Sequence, residues 1–313
     1  MTVLALSGGV GGAKLASGLA DILAPGELVV LANTGDDFEH LGLHIAPDID
    51  SVFYALAGLN DTERGWGRAG ETWACMRALG GLGAETWFNL GDQDLALHLE
   101  RTRRLRKGES LSAVTAALCQ AAGVATRILP MSETPVPTVV HTAAHGDLAF
   151  QHYFVRERCE PVVTGFTHRG ADRAEMPAAL RALRDVTAVI VCPSNPFISI
   201  APILALPGMR EWLAGLGAPV VAVSPLIGGQ AVKGPTAKMF TELGLEVTNA
   251  GLVRQYGGLL DGLVLDEADA ADTAALDIAT AVTATLMQTA GDRHRVAEVA
   301  LRLASMLRDS RAG

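Results

Sequence analysis

Cysteine is sparse and dispersed in this chain. Cys75, Cys119, Cys159 and Cys192 lie far apart, and none forms a Cys-x-x-Cys pair. That spacing argues against structural zinc and fits reduced thiols in a cytosol. Basic residues are also short: 25 Lys and Arg face 34 Asp and Glu, for a formal net charge of -9. The one basic tract runs over residues 101–107. Non-specific nucleic-acid binding is disfavoured by this balance. No apolar run is long enough to span a bilayer. The N-terminus has no basic lead and soon reaches glycines, which does not make a secretory leader. A cytoplasmic protein is expected. There is no internal repeat and no low-complexity tail. Serine hydrolysis has no support either, because a Gly-x-Ser-x-Gly elbow is missing.

What is present is a large apolar fraction, 49% of 313 residues, ample for a sizeable core. Short runs rich in Val, Ile and Leu occur at Thr2–Leu6, Glu27–Ala32, Val186–Cys192, Pro219–Ser224 and Asp261–Asp266. Helical patterns separate them, notably at Lys14–Leu23 and Ser110–Ala122, with an alanine-rich helical stretch from Ala271 to Arg308. Strands buried on both faces and separated by helices predict an α/β fold with a parallel sheet covered on either side. The middle departs from this rhythm. Thr138–Thr142 and Leu148–Val155 flank a turn and read as an antiparallel hairpin. Phe166–Arg173 reads as polar and irregular, so residues from about 125 to 175 are expected to form an inserted α+β subdomain.

The first strand runs into Ser7-Gly8-Gly9-Val10-Gly11-Gly12-Ala13-Lys14. Glycines between a strand and a helix bare backbone N–H groups where an anion is stabilised, and let a phosphate approach closely. The string is neither a clean G-x-G-x-x-G nor a Walker A, since Leu15 stands where a magnesium-binding hydroxyl would be. The alternative is a tight strand–helix turn with no ligand.

Three carboxylate sets follow. "ANTGDDFEHLG" carries Asn33, Thr34, Asp36 and Asp37 beyond the second strand; "APDIDSVFYAL" carries Asp48 and Asp50; "WFNLGDQDLALHLERT" carries Asn89, Asp92, Asp94 and His98. Each has a plain explanation as an N-cap, a first-turn acid or a turn. Together they place six acids at element ends in a segment that should line one crevice. Oxygen ligands without a Cys/His cluster suit Mg2+, and Mg2+ suits a diphosphate near a glycine turn. His40 and His44 are expected to face solvent or bond to their loop. Two later strands end in "CPSNPFISIAPIL" and "AVSPLIGGQAVKGP". Ser194, Asn195 and Ser199 suit phosphate oxygens or a purine edge, or else a proline turn with a cap. Lys233 could neutralise a phosphate or be a solvated loop lysine.

Taken in order, "SGGVGGAKL", "ANTGDD", "PDIDSV", "WFNLGDQDLALHL", "LPMSETPVPT", "CPSNPFISIAPIL" and "AVSPLIGGQAVKGP" resemble the 2-phospho-L-lactate transferase family of coenzyme F-420 biosynthesis. The resemblance covers essentially the whole chain. It implies one Rossmann-like, doubly wound domain over residues 1–313 with the inserted subdomain, often as a homodimer. It implies transfer of a phospholactyl or phosphoenolpyruvyl group from a guanosine diphospho-donor to the 5′-hydroxyl of Fo (7,8-didemethyl-8-hydroxy-5-deazariboflavin). GMP is released and Mg2+ is required. Carried onto this chain, Ser7, Gly8, Gly9, Gly11, Gly12, Lys14, Ser194, Asn195 and Ser199 are nucleotide-side residues. Asp50 and Asn89 match Fo-binding positions, with Asp92, Asp94 and His98 beside them. Asp36, Asp37 and Asp48 are the candidate metal ligands, and Asp48 and Asp50 the candidate catalytic acids. Gln93 and Leu97 stand where related sequences commonly carry Arg and Thr. For the flat deazaflavin ring, Trp66, Trp73, Trp87 and Phe88 are candidate walls. A regulatory nucleotide-sugar-binding relative of the gluconeogenesis-factor type is the alternative; "DDFEHLGLHIAPDID" lacks the Gly-Ser-Arg stretch typical of that group. A dinucleotide-dependent oxidoreductase is less favoured, because the glycine spacing is wrong.

Overall fold

A computed structural model describes residues 1–232 and 234–312, so Lys233 lies outside the described residues. Fourteen strands and eleven α-helices can be followed among them. The first half holds β1 (Thr2–Ser7), α1 (Gly9–Ile22), β2 (Leu28–Ala32), β3 (Phe38–His40), β4 (Leu43–Ile45), α2 (Pro47–Leu56), α3 (Ala74–Gly81), α4 (Asp92–Leu105), α5 (Leu111–Ala121), β5 (Arg127–Pro130), β6 (Thr138–Thr142) and β7 (Gly146–Ala149). The second half holds β8 (Val163–His168), α6 (Ala178–Arg181), β9 (Val186–Val191), α7 (Ala201–Leu204), α8 (Met209–Gly215), β10 (Val220–Val223), β11 (Leu226–Ile227), β12 (Gln230–Ala231), α9 (Thr236–Glu242), α10 (Asn249–Gln255), β13 (Gly262–Leu265), β14 (Ala279–Val282) and α11 (Ala290–Ala312).

Seven strands form one sheet in the order β14-β13-β10-β9-β1-β2-β5, every neighbouring pair parallel. Successive side chains of a strand point to opposite faces, and the two cores follow that alternation. Leu4, Leu6, Val29, Leu31, Val189 and Val191 enter one apolar cluster. Val3, Ala5, Leu28, Val30, Ala188 and Ile190 enter the other. The first cluster is closed by Leu213, Met239, Phe240 and Leu252 of α8, α9 and α10. The second is closed by Leu15 and Leu19 of α1, Val52 and Phe53 of α2, and Val296 and Leu303 of α11. Each such fully buried side chain stabilises the fold by about 1.5–3 kcal/mol. This is the expected α/β architecture, a parallel sheet with helices on both faces.

The strand order carries the functional consequence. The chain moves from β1 through β2 to β5 on one side, then returns to β9 on the other side of β1. The loops leaving β1 and β9 therefore diverge, and open doubly wound sheets bind ligands in the crevice so formed.

Several local readings are corrected. Helix α1 begins at Gly9, not Lys14, so the glycines are its first turns rather than a loop before it. The second hairpin strand is Gly146–Ala149, followed by a helical turn at His152–Arg156. Residues 163–168, expected to be partly irregular, form β8 and pair antiparallel with β6, giving a separate three-stranded sheet β7-β6-β8. The alanine-rich stretch is not one helix: it is a short helical segment at Glu267–Ala275, strand β14, then α11. His40 is buried, its ring centroid 5.2 Å from that of Trp87. It sits in a β3–β4 hairpin whose two-residue turn, Leu41-Gly42, has positive φ at both residues. That backbone is the one tight hairpins favour. No single helix among the described residues is long and apolar enough to cross a membrane.

Candidate functional site

A cavity of about 720 Å³ opens at the β1/β9 divergence, within the usual size range of small-molecule sites. Its floor is the start of α1. Gly8, Gly9, Val10, Gly11 and Lys14 line it, together with Pro193, Ser194, Asn195 and Ser199 from the loop after β9. The two loops nearly touch. A Cβ on Gly11 would stand 2.5 Å from the Pro193 carbonyl oxygen, and one on Gly8 would stand 2.5 Å from Ser199 Cβ. Side chains of any size would force these backbones apart, which is why glycine occupies both positions. Ser194 ties them together: its Oγ donates to the Gly8 carbonyl at 2.8 Å and accepts from the Gly8 amide at 3.3 Å. Asn195 uses its side-chain oxygen to cap the next turn, accepting from the Phe197 and Ile198 amides. Lys14 Nζ donates to the Met287 carbonyl at 2.7 Å.

Two carboxylates converge beside the α1 N-terminus. Asp48 Oδ1 accepts from the Gly9 amide at 2.6 Å. The Asn33 side-chain amide donates both to Asp48 Oδ2 at 2.8 Å and to Asp36 Oδ1 at 2.9 Å. Both acids are buried and both line the cavity. Burial raises Asp36 well above the usual carboxylate range, and the neighbouring Asp48 raises it further. Burial likewise pushes Asp48 up to about 6 against the hydrogen bonds from Asn33 and Gly9. A desolvated acid pair bridged by one neutral amide is a site that a cation would relieve. Among the described residues no three His, Cys, Asp or Glu side chains form a preformed metal cage. An open pair does fit Mg2+, which takes one or two carboxylates and completes its shell with water and substrate phosphates.

Further along the same cavity, Asp50, Tyr54, Asn89, Asp94 and His98 line it. Residues 50 and 54 share one face of α2, and 94, 98 and 101 one face of α4, by helical spacing. Arg101, 1% exposed, donates to both oxygens of Asp50, at 3.0 Å to Oδ2. Tyr54 donates its hydroxyl to Asp94 Oδ1. Burial pushes His98 down to about 4, so its ring is neutral near pH 7. Burial, with the anion of Asp50, pushes Asp94 up to about 6. Trp66, Trp87 and Phe88 supply apolar wall, and the segment between β7 and β8 adds Phe150 and Phe154, whose rings stack at 5.4 Å.

Several expected site residues are placed elsewhere. Asp37, expected as a metal ligand, does not line the cavity; its Oδ2 is 3.1 Å from His44 Nε2. Asp92 is also turned away. It accepts from the Thr72 hydroxyl and from the Ala74 and Cys75 amides, closing the loop before α3. Ser7 and Gly12 stand behind the lining, in contact with each other, since a Cβ on Gly12 would sit 2.5 Å from Ser7 Oγ. Trp73 packs on Trp66 rather than on the cavity. Arg101 and Tyr54 went unread in the sequence, although the spacing Asp94–His98–Arg101 on a helix after a glycine was visible there.

A family model described as 2-phospho-L-lactate transferase CofD matches residues 3–305. The chain is 41% identical to a phosphoenolpyruvate transferase of Kitasatospora aureofaciens, covering 98% of this chain and 99% of that protein. It is 40% identical to a 2-phospho-L-lactate transferase of Methanosarcina mazei, covering 88% and 90%. A crystal structure of a UPF0052 family member from Bacillus halodurans superposes with a TM-score of 0.63 at 14% identity, over 96% of this chain and 98% of that one. At that identity the likeness is one of fold.

Proposed function

We propose, because the chain belongs to the 2-phospho-L-lactate transferase CofD family, that it moves a phospholactyl or phosphoenolpyruvyl group from a guanosine diphospho-donor to the 5′-hydroxyl of Fo. GMP is the leaving product, and the reaction belongs to coenzyme F-420 biosynthesis. The carrying observation is one cavity with two unlike ends at the switch point of the sheet. One end has the α1 N-terminus and the Asp36–Asp48 pair; the other has Asp50, Asp94, His98 and an apolar wall.

The labile bond is a diphosphate and the nucleophile a primary alcohol, so catalysis is chiefly positioning and charge neutralisation. Val10 and Gly11 line the cavity in the first turn of α1, at its positive end, where phosphate oxygens are favoured; the Gly8 and Gly9 amides already donate to Ser194 and Asp48. Asp36 and Asp48 would hold Mg2+. Bound there, magnesium supplies positive charge against the diphosphate and the departing GMP. Asn89, Asp94 and His98 bind and orient the ribityl chain, and Trp66, Trp87 and Phe88 exclude water from the ring. Asp50, with both oxygens already accepting from Arg101, orients rather than takes a proton. We place the enzyme in the cytoplasm, working as a homodimer.

The test is direct. The protein is incubated with Fo, Mg2+ and each guanosine diphospho-acid in turn. GMP release with a matching mass gain on Fo supports the assignment, and the faster donor names the acid. Loss of turnover on chelation, restored by Mg2+, supports the metal. No GMP from either donor refutes the activity.

A further inference from the structure

The two acceptor-side carboxylates are not equivalent, and the reason stands behind the cavity. Arg101 does not line the cavity, yet it contacts two residues that do. Its NH1 donates to Asp50 Oδ2 at 3.0 Å and lies 3.2 Å from His98 Nδ1; its NH2 donates to Asp50 Oδ1. A guanidinium carries only donors. His98 Nδ1 must then be the acceptor, and the single ring proton of the neutral imidazole sits on Nε2. That nitrogen faces Asp94, 3.6 Å from Oδ1. Tyr54 donates to the same oxygen. Asp94 Oδ2 makes no side-chain hydrogen bond among the described residues and is not an enclosed, unpartnered atom.

We propose that Arg101 is a positioning residue for the acceptor: by engaging Asp50 and fixing the Nε2–H tautomer of His98, it leaves Asp94 Oδ2 as the open carboxylate oxygen that accepts the hydrogen bond of a ribityl hydroxyl. The proposal rests on the transferase reading above. In this arrangement Tyr54 holds Oδ1 by a hydrogen bond and the Nε2 side of the His98 ring lies 3.6 Å from the same oxygen, so Oδ2 is the oxygen left open. Burial keeps His98 uncharged, which preserves the tautomer through the neutral range.

Asn and Gln side chains separate the two ring nitrogens of His98. His98→Gln places an amide near the Nε2 position and preserves a donor toward Asp94; His98→Asn preserves only the Nδ1 side. His98→Asn is expected to raise the KM for Fo about tenfold, the low end for hydrogen bonds to a charged group, with the donor KM little changed. His98→Gln recovers most of that loss. Arg101→Lys, which keeps the charge but not the fork, raises the Fo KM in the same selective way. Long-range 15N correlation spectra of the wild-type ring read the tautomer directly. A proton on Nδ1 overturns the proposal, as does an equal rise of both KM values in folded His98 variants or an unchanged Fo KM in His98→Asn. If Arg101→Lys does not fold, the His98 pair and the spectrum still decide. If the wild type releases no GMP, the transferase reading fails, and the tautomer spectrum still reports on the device.

Discussion

Replacing Asp94 by Asn should make the ligand-free protein more stable while crippling it as an enzyme. Asp94 is buried, with its side chain 12% exposed. Burial first, then the anion of Asp50, raises its pKa from 3.8 to about 6; the Tyr54 hydrogen bond lowers it, Glu71 raises it and Arg101 lowers it. The folded state therefore binds this proton more tightly than the unfolded chain. The sign follows from proton linkage. Below about pH 4 the group is protonated in both states and carries no penalty. Between about 4 and 6 folded stability falls as pH rises, and above that the penalty is constant. A gap of about two pH units corresponds to about 3 kcal/mol. An Asn side chain never ionises, so it escapes this penalty. Its Oδ1 still accepts from Tyr54, as that of the protonated acid would, so the net gain at pH 7 is about 3 kcal/mol. For a chain of 313 residues, an unfolding entropy of about 2 cal/mol/K per residue converts this to about 5 °C in Tm. The assay is calorimetry or fluorescence-monitored melting of both proteins from pH 4 to 8. The two curves should meet near pH 4 and separate through pH 6, with Asp94→Asn the higher. A variant less stable than wild type at pH 7, or a difference that does not vary with pH, would refute the reasoning. Turnover measured alongside should show the KM for Fo raised and the donor KM held.

Other substitutions probe the remaining contacts. Gly11→Ala puts a Cβ 2.5 Å from the Pro193 carbonyl; it should cost about 1–3 kcal/mol of stability and weaken GMP binding in titration calorimetry. Asp36→Asn should lower kcat by about 10²–10³, the effect of losing one charge-stabilising group, and raise the Mg2+ concentration needed for half-maximal rate. Asp37→Asn, by contrast, should leave the Mg2+ response near wild type, because that carboxylate bonds to His44 outside the cavity. Arg101→Met leaves the Asp50 carboxylate buried without its partner and should cost about 3–5 kcal/mol in urea unfolding.

The sheet was legible because its strands are continuous apolar runs that end at small or polar residues, as in Thr2–Ser7 and Val186–Val191. Strand β14 escaped notice because Ala-Thr-Ala-Val sits in an alanine-rich stretch, and alanine favours helix when read alone. Pairing with β13 decided its conformation instead. The early start of α1 was hidden for a similar reason: glycine disfavours helix when read alone, and here glycines stand at 8 and 11 because Ser199 and Pro193 leave no room for a side chain. At the site, residue types at strand ends pointed to the loops that line the cavity, but not to which acid of each pair faces inward. Asp36 and Asp37 are neighbours, and one points to Asn33 while the other points to His44. Asp92 and Asp94 share a helical first turn, and only the second reaches Tyr54. Arg101 heads the basic tract at 101–107, and its burial follows from the helical face it shares with His98.

Charge decides how such a cavity can take an anionic donor. Asp36, Asp48, Asp50 and Asp94 line it, and among its described lining residues Lys14 is the one lysine or arginine. Asp50 is already matched by Arg101 from behind, and Asp94 carries its charge at a cost that burial makes visible. That leaves Asp36 and Asp48, raised by burial, as a pair held together by the Asn33 side-chain amide, with the Gly9 N–H on Asp48. The α1 N-terminus contributes roughly half a unit charge, too little for two carboxylates and a diphosphate together. A divalent cation between this pair and the donor would balance both at once. Binding of the donor should therefore depend steeply on Mg2+, while binding of Fo, measured by its own fluorescence, should not if its site is the Asp94 end alone. Equal Mg2+ dependence for the two ligands would show that the ends of the cavity are not electrostatically separate.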